Sequence, residues 1–323
     1  MGEIGRNCLV LEYQDNILVI DAGIMFPSDD MPGVDLVIPD FTYLAERRDR
    51  VRGIVITHGH EDHIGGLPYL VSEVKAPVYA SPLTRGLIEA KLRSRGLADT
   101  ADLQTIHPGD EVVLGAFRVT PFHVNHSIPD AMGYAIRTPV GLVVHTGDFK
   151  IDHTPLDGRP MDLGELAVFS SEGVRLLLSD STNAESAGYT ASESQLEDTF
   201  QQIFGRAKGR IVVATFASLL SRVQLVIETA ARFGRRVAVA GRSMEENVAI
   251  AEGLGYVRFP EGVRVPLHEI GSLPDERVCI LATGSQGEPN AALARMAAGN
   301  FRSVTIREGD TVVLSAKAIP GNE

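Results

Sequence analysis

Thr57-His58-Gly59-His60-Glu61-Asp62-His63-Ile64-Gly65-Gly66 holds three imidazoles and two carboxylates in the six residues from His58 to His63. The apolar run Gly53-Ile54-Val55-Ile56 precedes it, so the cluster stands at the end of an expected strand. Five ionisable groups packed this closely would repel one another without a cation. His58 and His60, one residue apart, face the same side of an extended segment. Asp62 and His63 need a turn to face a second point. The pattern suits two adjacent metal ions better than one, and it is not the His-Glu-x-x-His helix of zinc proteases. A polar loop that is merely rich in histidine is the alternative.

Further ligands are available. Asp21, Asp148 and Asp180 each close an apolar run, at residues 17–21, 143–148 and 176–180, where the rim of a sheet would carry a site. Taken singly, each reads as a turn or cap residue. Three of them beside the histidine cluster read as part of it. Phe122-His123-Val124-Asn125-His126-Ser127 adds two imidazoles that face opposite ways on a strand, so at most one is a ligand. His126 is preferred, because it begins the turn Ser127-Ile128-Pro129-Asp130. His123 and His145 read as mid-strand, packed histidines.

The chain has 323 residues, 44% of them hydrophobic, enough for two domains. Its 42 acidic residues exceed its 30 Lys and Arg, for a net charge of -12, which gives no support to a general nucleic-acid binder. Residues 206–242 reverse the balance, with eight basic side chains and one acid, Glu228. That excess is compatible with holding a polyanion or with a solvated face. The two cysteines, Cys8 and Cys279, lie in apolar runs and read as buried thiols in a reducing compartment. No signal peptide or membrane-length apolar run is read, so a cytoplasmic location without a membrane partner is expected.

The first part is β-rich, with strands expected at 8–13, 17–21, 53–57, 78–80, 111–114, 117–124, 134–138 and 142–146, and a helix at 82–95. After another strand at 175–179 the rhythm changes. Helices at 192–207, 219–233, 244–254 and 289–298 alternate with strands at 211–215, 236–240, 278–283 and 312–315. That alternation predicts a parallel sheet covered by helices. A domain boundary is expected between 175 and 190, giving domains 1–180 and 181–323. Ala318-Ile319-Pro320-Gly321-Asn322-Glu323 closes the chain without a helix, which suggests a fragment.

Thr57–Gly66 resembles the His-x-His-x-Asp-His motif of the metallo-β-lactamase superfamily. Gly2-Glu3-Ile4-Gly5-Arg6-Asn7, His126–Asp130, His145-Thr146-Gly147-Asp148-Phe149-Lys150, Ser179-Asp180-Ser181-Thr182-Asn183, Ala214-Thr215-Phe216-Ala217-Ser218 and Thr283-Gly284-Ser285-Gln286-Gly287-Glu288-Pro289 resemble its β-CASP nucleases, specifically the ribonuclease J family. The fold implied is α/β: an incomplete, N-terminal portion of a metallo-β-lactamase αββα sandwich, then a β-CASP domain with a mainly parallel sheet. The resemblance implies two zinc ions, with His58, His60 and His126 on one, Asp62 and His63 on the other, and Asp148 bridging them. It places Asp21 behind a ligand histidine and Asp180 in support of the site.

Family members carry a later His-x-Ser-Gly-His segment with a further zinc ligand, which this sequence lacks. Two close zinc ions can acidify a shared water and clamp the oxygens of a phosphodiester. The implied activity is endonucleolytic and 5′-to-3′ exonucleolytic cleavage of RNA in its processing and decay, by a homodimer. Strand-to-helix turns at Ser218 and Arg222, at Arg242-Ser243 and at Ser285 are candidate RNA contacts. The competing readings are a β-CASP nuclease acting on DNA, a small-molecule hydrolase such as a thioesterase, and a truncated RNA-binding piece without catalysis.

Overall fold

The protein is described by a computed structural model covering residues 5–27 and 31–316. The expectations placed on Gly2-Glu3-Ile4 and on residues 318–323 fall outside the described residues. Contacts divide the chain into two units. The first runs to His153 and resumes from Arg159 to Thr190, while the second takes Thr154–Gly158 and continues from Ala191.

In the first unit, β1 (Leu9–Tyr13) and β2 (Asn16–Ile20) form a hairpin. They are followed by α1 (Thr42–Ala45), β3 (Val51–Val55), α2 (Glu61–Ile64), α3 (Leu67–Glu73), β4 (Val78–Ala80), α4 (Pro82–Ser94) and β5 (Leu103–Thr105). These strands build one sheet in the order β1-β2-β3-β4-β5, parallel beyond the hairpin. Ile17, Leu18, Val19 and Ile20 are all within 1% of full burial, the continuous apolar run of a strand covered on both faces. β6 (Val112–Leu114), β7 (Phe117–His123), β8 (Met132–Thr138), β9 (Gly141–His145), α5 (Leu163–Glu172) and β10 (Val174–Leu178) complete the unit. The second sheet has the order β10-β9-β8-β7-β6 and is parallel only between β10 and β9.

The two sheets share a core. Leu18, Ile20 and Val55 of the first pack with Phe117, Val119, Met132, Tyr134 and Ile136 of the second. The Tyr134 hydroxyl donates to the carbonyl of Ile56 at 2.5 Å, tying β8 to the segment that leads into the histidine cluster. α4 packs on β4 and β5, and α5 on β10, so each sheet carries a helix. Asp130 fixes the start of α4: its carboxylate accepts from the Leu83 amide at 2.9 Å and from the Ser81 hydroxyl at 2.7 Å. The segment holding His126 is thereby anchored to that helix.

The second unit contains α6 (Gln195–Arg206), β11 (Ile211–Ala214), α7 (Leu220–Arg232), β12 (Arg236–Ala240), α8 (Arg242–Gly253), β13 (Val278–Ala282), α9 (Ala292–Ala297) and β14 (Thr311–Leu314). Its sheet runs β12-β13-β11-β14 with every pair parallel, as the strand–helix rhythm predicts.

Several expectations are corrected. The strand read at 53–57 is β3 at 51–55, so Thr57 and His58 lie beyond the sheet ladder. His123 and His145 end their strands rather than sit within them. Five elements went unread: α1, α2, α3, α5 and β5. The α5 start carries a legible cap, since Asp162 accepts from the Glu165 amide at 3.1 Å. The basic run 206–242 does not form one face. Arg210 is buried against Asp310, Arg222 against Glu193, and Arg235 against the carbonyls of Ala207 and Gly209. Cys279 is buried and Cys8 half-buried; neither forms a disulfide, and burial above all pushes both thiols up to about 12. No helix among the described residues is long and apolar enough to cross a membrane.

Candidate metal centre

The chain leaves β3 at Val55 and bends at Thr57 and Gly59, so that His58 and His60 come from an irregular segment and not from a strand. His60 stands at the N-terminus of the single-turn helix α2, and that turn brings the His63 ring to 4.0 Å, centroid to centroid, from that of His58. Three of the four carbonyls of α2 are taken up from outside the helix. Asp62 accepts from the Asn7 amide at 3.0 Å, His63 from Ala22 at 2.8 Å, and Glu61 from Ile24 at 3.1 Å. The approach is so close that a Cβ on Gly23 would meet the Asp62 carbonyl oxygen at 1.5 Å. Only glycine fits there.

Three ring nitrogens converge. His58 Nε2 is 3.0 Å from His60 Nδ1, and His126 Nε2 is 3.2 Å from the same atom. Ligands at the usual zinc–nitrogen distance and tetrahedral angles stand about 3.3 Å apart, so the set fits one ion with little movement. On the other side, His63 Nε2 lies 3.6 Å from Asp62 Oδ2 and 3.5 Å from Asp148 Oδ2. Asp148 Oδ2 is also 4.0 Å from His126 Nε2, which puts this carboxylate between the two groups. His58, His60 and His126, and His58, His63 and Asp148, each have ligand atoms within 4.8 Å of one another.

The far nitrogens are held as well. Asp21 Oδ2 accepts from His63 Nδ1 at 2.7 Å, His58 Nδ1 meets the Thr57 hydroxyl at 3.0 Å, and His60 Nε2 meets the Ser127 hydroxyl at 3.3 Å. Outer partners of this kind orient metal-binding histidines. Asp21 is 1% exposed and adopts a left-handed φ of 62°, a conformation unusual for a residue with a side chain. Asp180 accepts from the amides of Phe149 and Thr182 at 3.3 and 2.8 Å, so it braces the backbone next to Asp148.

Charge follows the same division. Burial lowers His58 far below its usual range, takes His60 down to about 3 and His126 to about 4, with neighbouring imidazoles adding to the shift. Burial acts to lower His63 too, but the carboxylates of Asp21, Asp148 and Asp62 override it and raise the group well above 6.5. Burial opposes ionisation of Asp148, and contact with His63, with His126 and His60 behind it, overrides that and holds the carboxyl down at about 2. A cavity of about 620 Å³ opens on this second side, lined by Asn7, Asp62, His63, Asp148 and Asp180 among others.

All eight residues read as ligands or supports lie in this one unit. Thr57, Ser127 and Asn7 received no role from sequence. The Asn7 side-chain amide stands 3.1 Å from His63 Nε2 and 3.3 Å from Asp62 Oδ2. The signal for the first two was adjacency, since each hydroxyl neighbours a histidine predicted as a ligand. His145 lines the cavity but spends Nδ1 accepting from the Gly147 amide at 3.0 Å. Among the candidate RNA contacts in the second unit, Arg242 and Ser243 are exposed and Ser218 half-buried. Ser285 is buried, with a hydroxyl that has no hydrogen-bond partner among the described residues. Arg222 does not present a free guanidinium: it binds Glu193 through Nε at 2.9 Å and Ser315 through Nη1.

Comparison with known proteins places this geometry. The metallo-β-lactamase superfamily matches residues 1–184, and the ribonuclease J β-CASP domain matches residues 208–323. Ribonuclease J of Synechocystis sp. is 48% identical over the whole chain, which covers 51% of that protein. Ribonuclease J of Thermus thermophilus is 48% identical and 57% covered, and ribonuclease J2 of Bacillus subtilis 42% identical and 58% covered. The chain thus spans about half the length of the curated relatives it matches. A crystal structure of a protein of unknown function from Enterococcus faecalis covers 86% of this chain and 74% of its own, with a TM-score of 0.61 at 17% identity, a likeness of fold. The chain belongs to the metallo-β-lactamase superfamily and continues into a β-CASP domain of the ribonuclease J kind.

Proposed function

We propose that this chain carries the metal centre of a zinc-dependent ribonuclease that hydrolyses RNA phosphodiesters, both internally and from the 5′ end, in RNA processing and decay. The observation that carries the reading is that His58 Nε2 and His126 Nε2 stand 3.0 and 3.2 Å from His60 Nδ1, with Asp148 between this group and His63. His58, His60 and His126 would hold one ion and Asp62 and His63 the other, with Asp148 within reach of both groups. Three imidazoles with carboxylates are a donor set suited to zinc. When bound there, the ions supply Lewis acidity that acidifies water and neutralises charge on a phosphodiester.

The chain's own residues do the rest. Asp21 and Thr57 hold ring orientation, and Asp180 braces the Asp148 backbone. The cavity beside Asp62, His63 and Asp148 is wide enough to admit a phosphodiester. RNA as the substrate rests on the names of the relatives, and the second α/β unit weighs against a small-molecule hydrolase. Ser218, Arg242, Ser243 and Ser285 remain the proposed RNA contacts; Arg222 does not. The reducing compartment proposed is the cytoplasm, in keeping with two free cysteines.

Zinc per chain and cleavage of end-labelled RNA test the reading together. Asp148→Asn is expected to lower cleavage about 100-fold or more, as loss of a shared ligand should. Zinc near zero in the wild-type chain, with RNA still bound, would replace this reading with that of a non-catalytic RNA-binding piece.

A further inference from the structure

Thr57 is 1% exposed and touches both halves of the centre. Its backbone amide donates to Asp21 Oδ1 at 2.8 Å, and its hydroxyl donates to Asp21 Oδ2 at 2.9 Å. A carboxylate is the strongest acceptor within reach, so the hydroxyl's single hydrogen is spent on it. What the oxygen has left are lone pairs, and two imidazole nitrogens face them: His58 Nδ1 at 3.0 Å and His63 Nδ1 at 3.3 Å. An oxygen without a hydrogen to give pairs only with N–H, which puts a hydrogen on Nδ1 of His58 and leaves its Nε2 bare. That bare nitrogen is the one 3.0 Å from His60 Nδ1. The Nδ1–H of His63 is shared between Asp21 Oδ2, at 2.7 Å, and Thr57, so its Nε2 is the atom presented to Asp62 and Asp148.

We propose that Thr57 is a positioning residue that couples the two metal sites, its one hydroxyl, aimed by Asp21, fixing which ring nitrogen of His58 and of His63 is offered to an ion. This rests on the metal reading given above, and it adds a residue that acts on both ions while binding neither. Without the hydroxyl, His58 is free to place its hydrogen on Nε2, a tautomer that cannot bind metal there, and Asp21 loses the donor that orients it.

The test uses the full chain as wild type, Thr57→Val and Thr57→Ser. Ring-nitrogen NMR on the metal-free protein reads the tautomers directly, and competition with a chelator reads zinc affinity. The expected result is His58 in the Nδ1–H form in the wild type. Zinc affinity should fall about 10- to 100-fold in Thr57→Val, the range for outer-sphere partners, with Thr57→Ser close to wild type. A merely structural role would lower the melting temperature and leave the tautomer untouched. An Nε2–H tautomer in the wild type, which needs no variant to fold, overturns the proposal, and so does unchanged zinc affinity in a folded Thr57→Val. A wild-type chain that takes up no zinc while its ring tautomers behave as stated overturns the metal reading, and with it the coupling of two ions, but leaves Thr57 as the group that sets the rings.

Discussion

His63 differs in charge from the other three histidines around it, and the difference has a measurable consequence. His58, His60 and His126 are neutral at pH 7 in the metal-free chain, because burial holds them below 6.5, whereas the surrounding carboxylates keep His63 charged. A metal ligand must be deprotonated. Zinc entering the three-histidine group is therefore expected to release no proton, and zinc at His63 about one. Calorimetric titrations at pH 7 in buffers of different ionisation enthalpy count them. For stability the signs are opposite. The raised pKa of His63 contributes stability below pH 6.5 that is lost as pH climbs through the raised value. The depressed His60 and His126 cost stability as pH falls from 6.5, down to about 3 for His60 and about 4 for His126. At this scale spacing marked the cluster from His58 to His63, while the parts given to Asp148, Asp21 and Asp180 came from the resemblance and not from spacing. The hydroxyls of Thr57 and Ser127 were not legible. A lone Ser or Thr is common in every loop, and only its distance from a ring nitrogen distinguishes it.

α2 is four residues long and has no hydrophobic period of its own, which is why the sequence offered no sign of it. It exists because β2's continuation, Ala22–Ile24, and Asn7 take its backbone carbonyls. Gly23→Ala would press a Cβ into the Asp62 carbonyl, and the backbone there cannot yield as a flexible side chain would. The expected loss is more than about 3 kcal/mol by urea unfolding, at the upper end for overpacking. Zinc at the Asp62–His63 group should be lost before zinc at the three histidines. If Gly23→Ala unfolds and binds zinc as the wild type does, the description of α2 as an element held from outside is wrong. The longer elements were readable for the opposite reason. In α4, Leu83, Leu87, Ile88 and Leu92 repeat at helical spacing and all are buried, so pattern and packing agree.

Across the whole molecule, the β-rich first part and the alternating second part were both apparent from rhythm, because each sheet type imposes its own spacing on apolar residues. The fate of the basic run was not. Whether an arginine faces solvent or a buried acid depends on partners as distant as Asp310, 100 residues from Arg210. Arg222 is the residue to test. If its role is the internal pairing with Glu193, Arg222→Ala should lower stability by about 2–3 kcal/mol, less than for a fully buried pair because Glu193 is part-exposed. Zinc content should stay as in the wild type, and denaturant melts with parallel zinc analysis check both. The groups of the metal centre also come from far apart in sequence: Asp21 and Thr57 are 36 residues apart, and His60 and His126 are 66 apart. Contacts of such span close late in folding. The cradle is therefore assembled by the packing of the two sheets, and a bound metal ion is expected to act as a lock on the finished fold, slowing its unfolding, and not as a nucleus that hastens its formation.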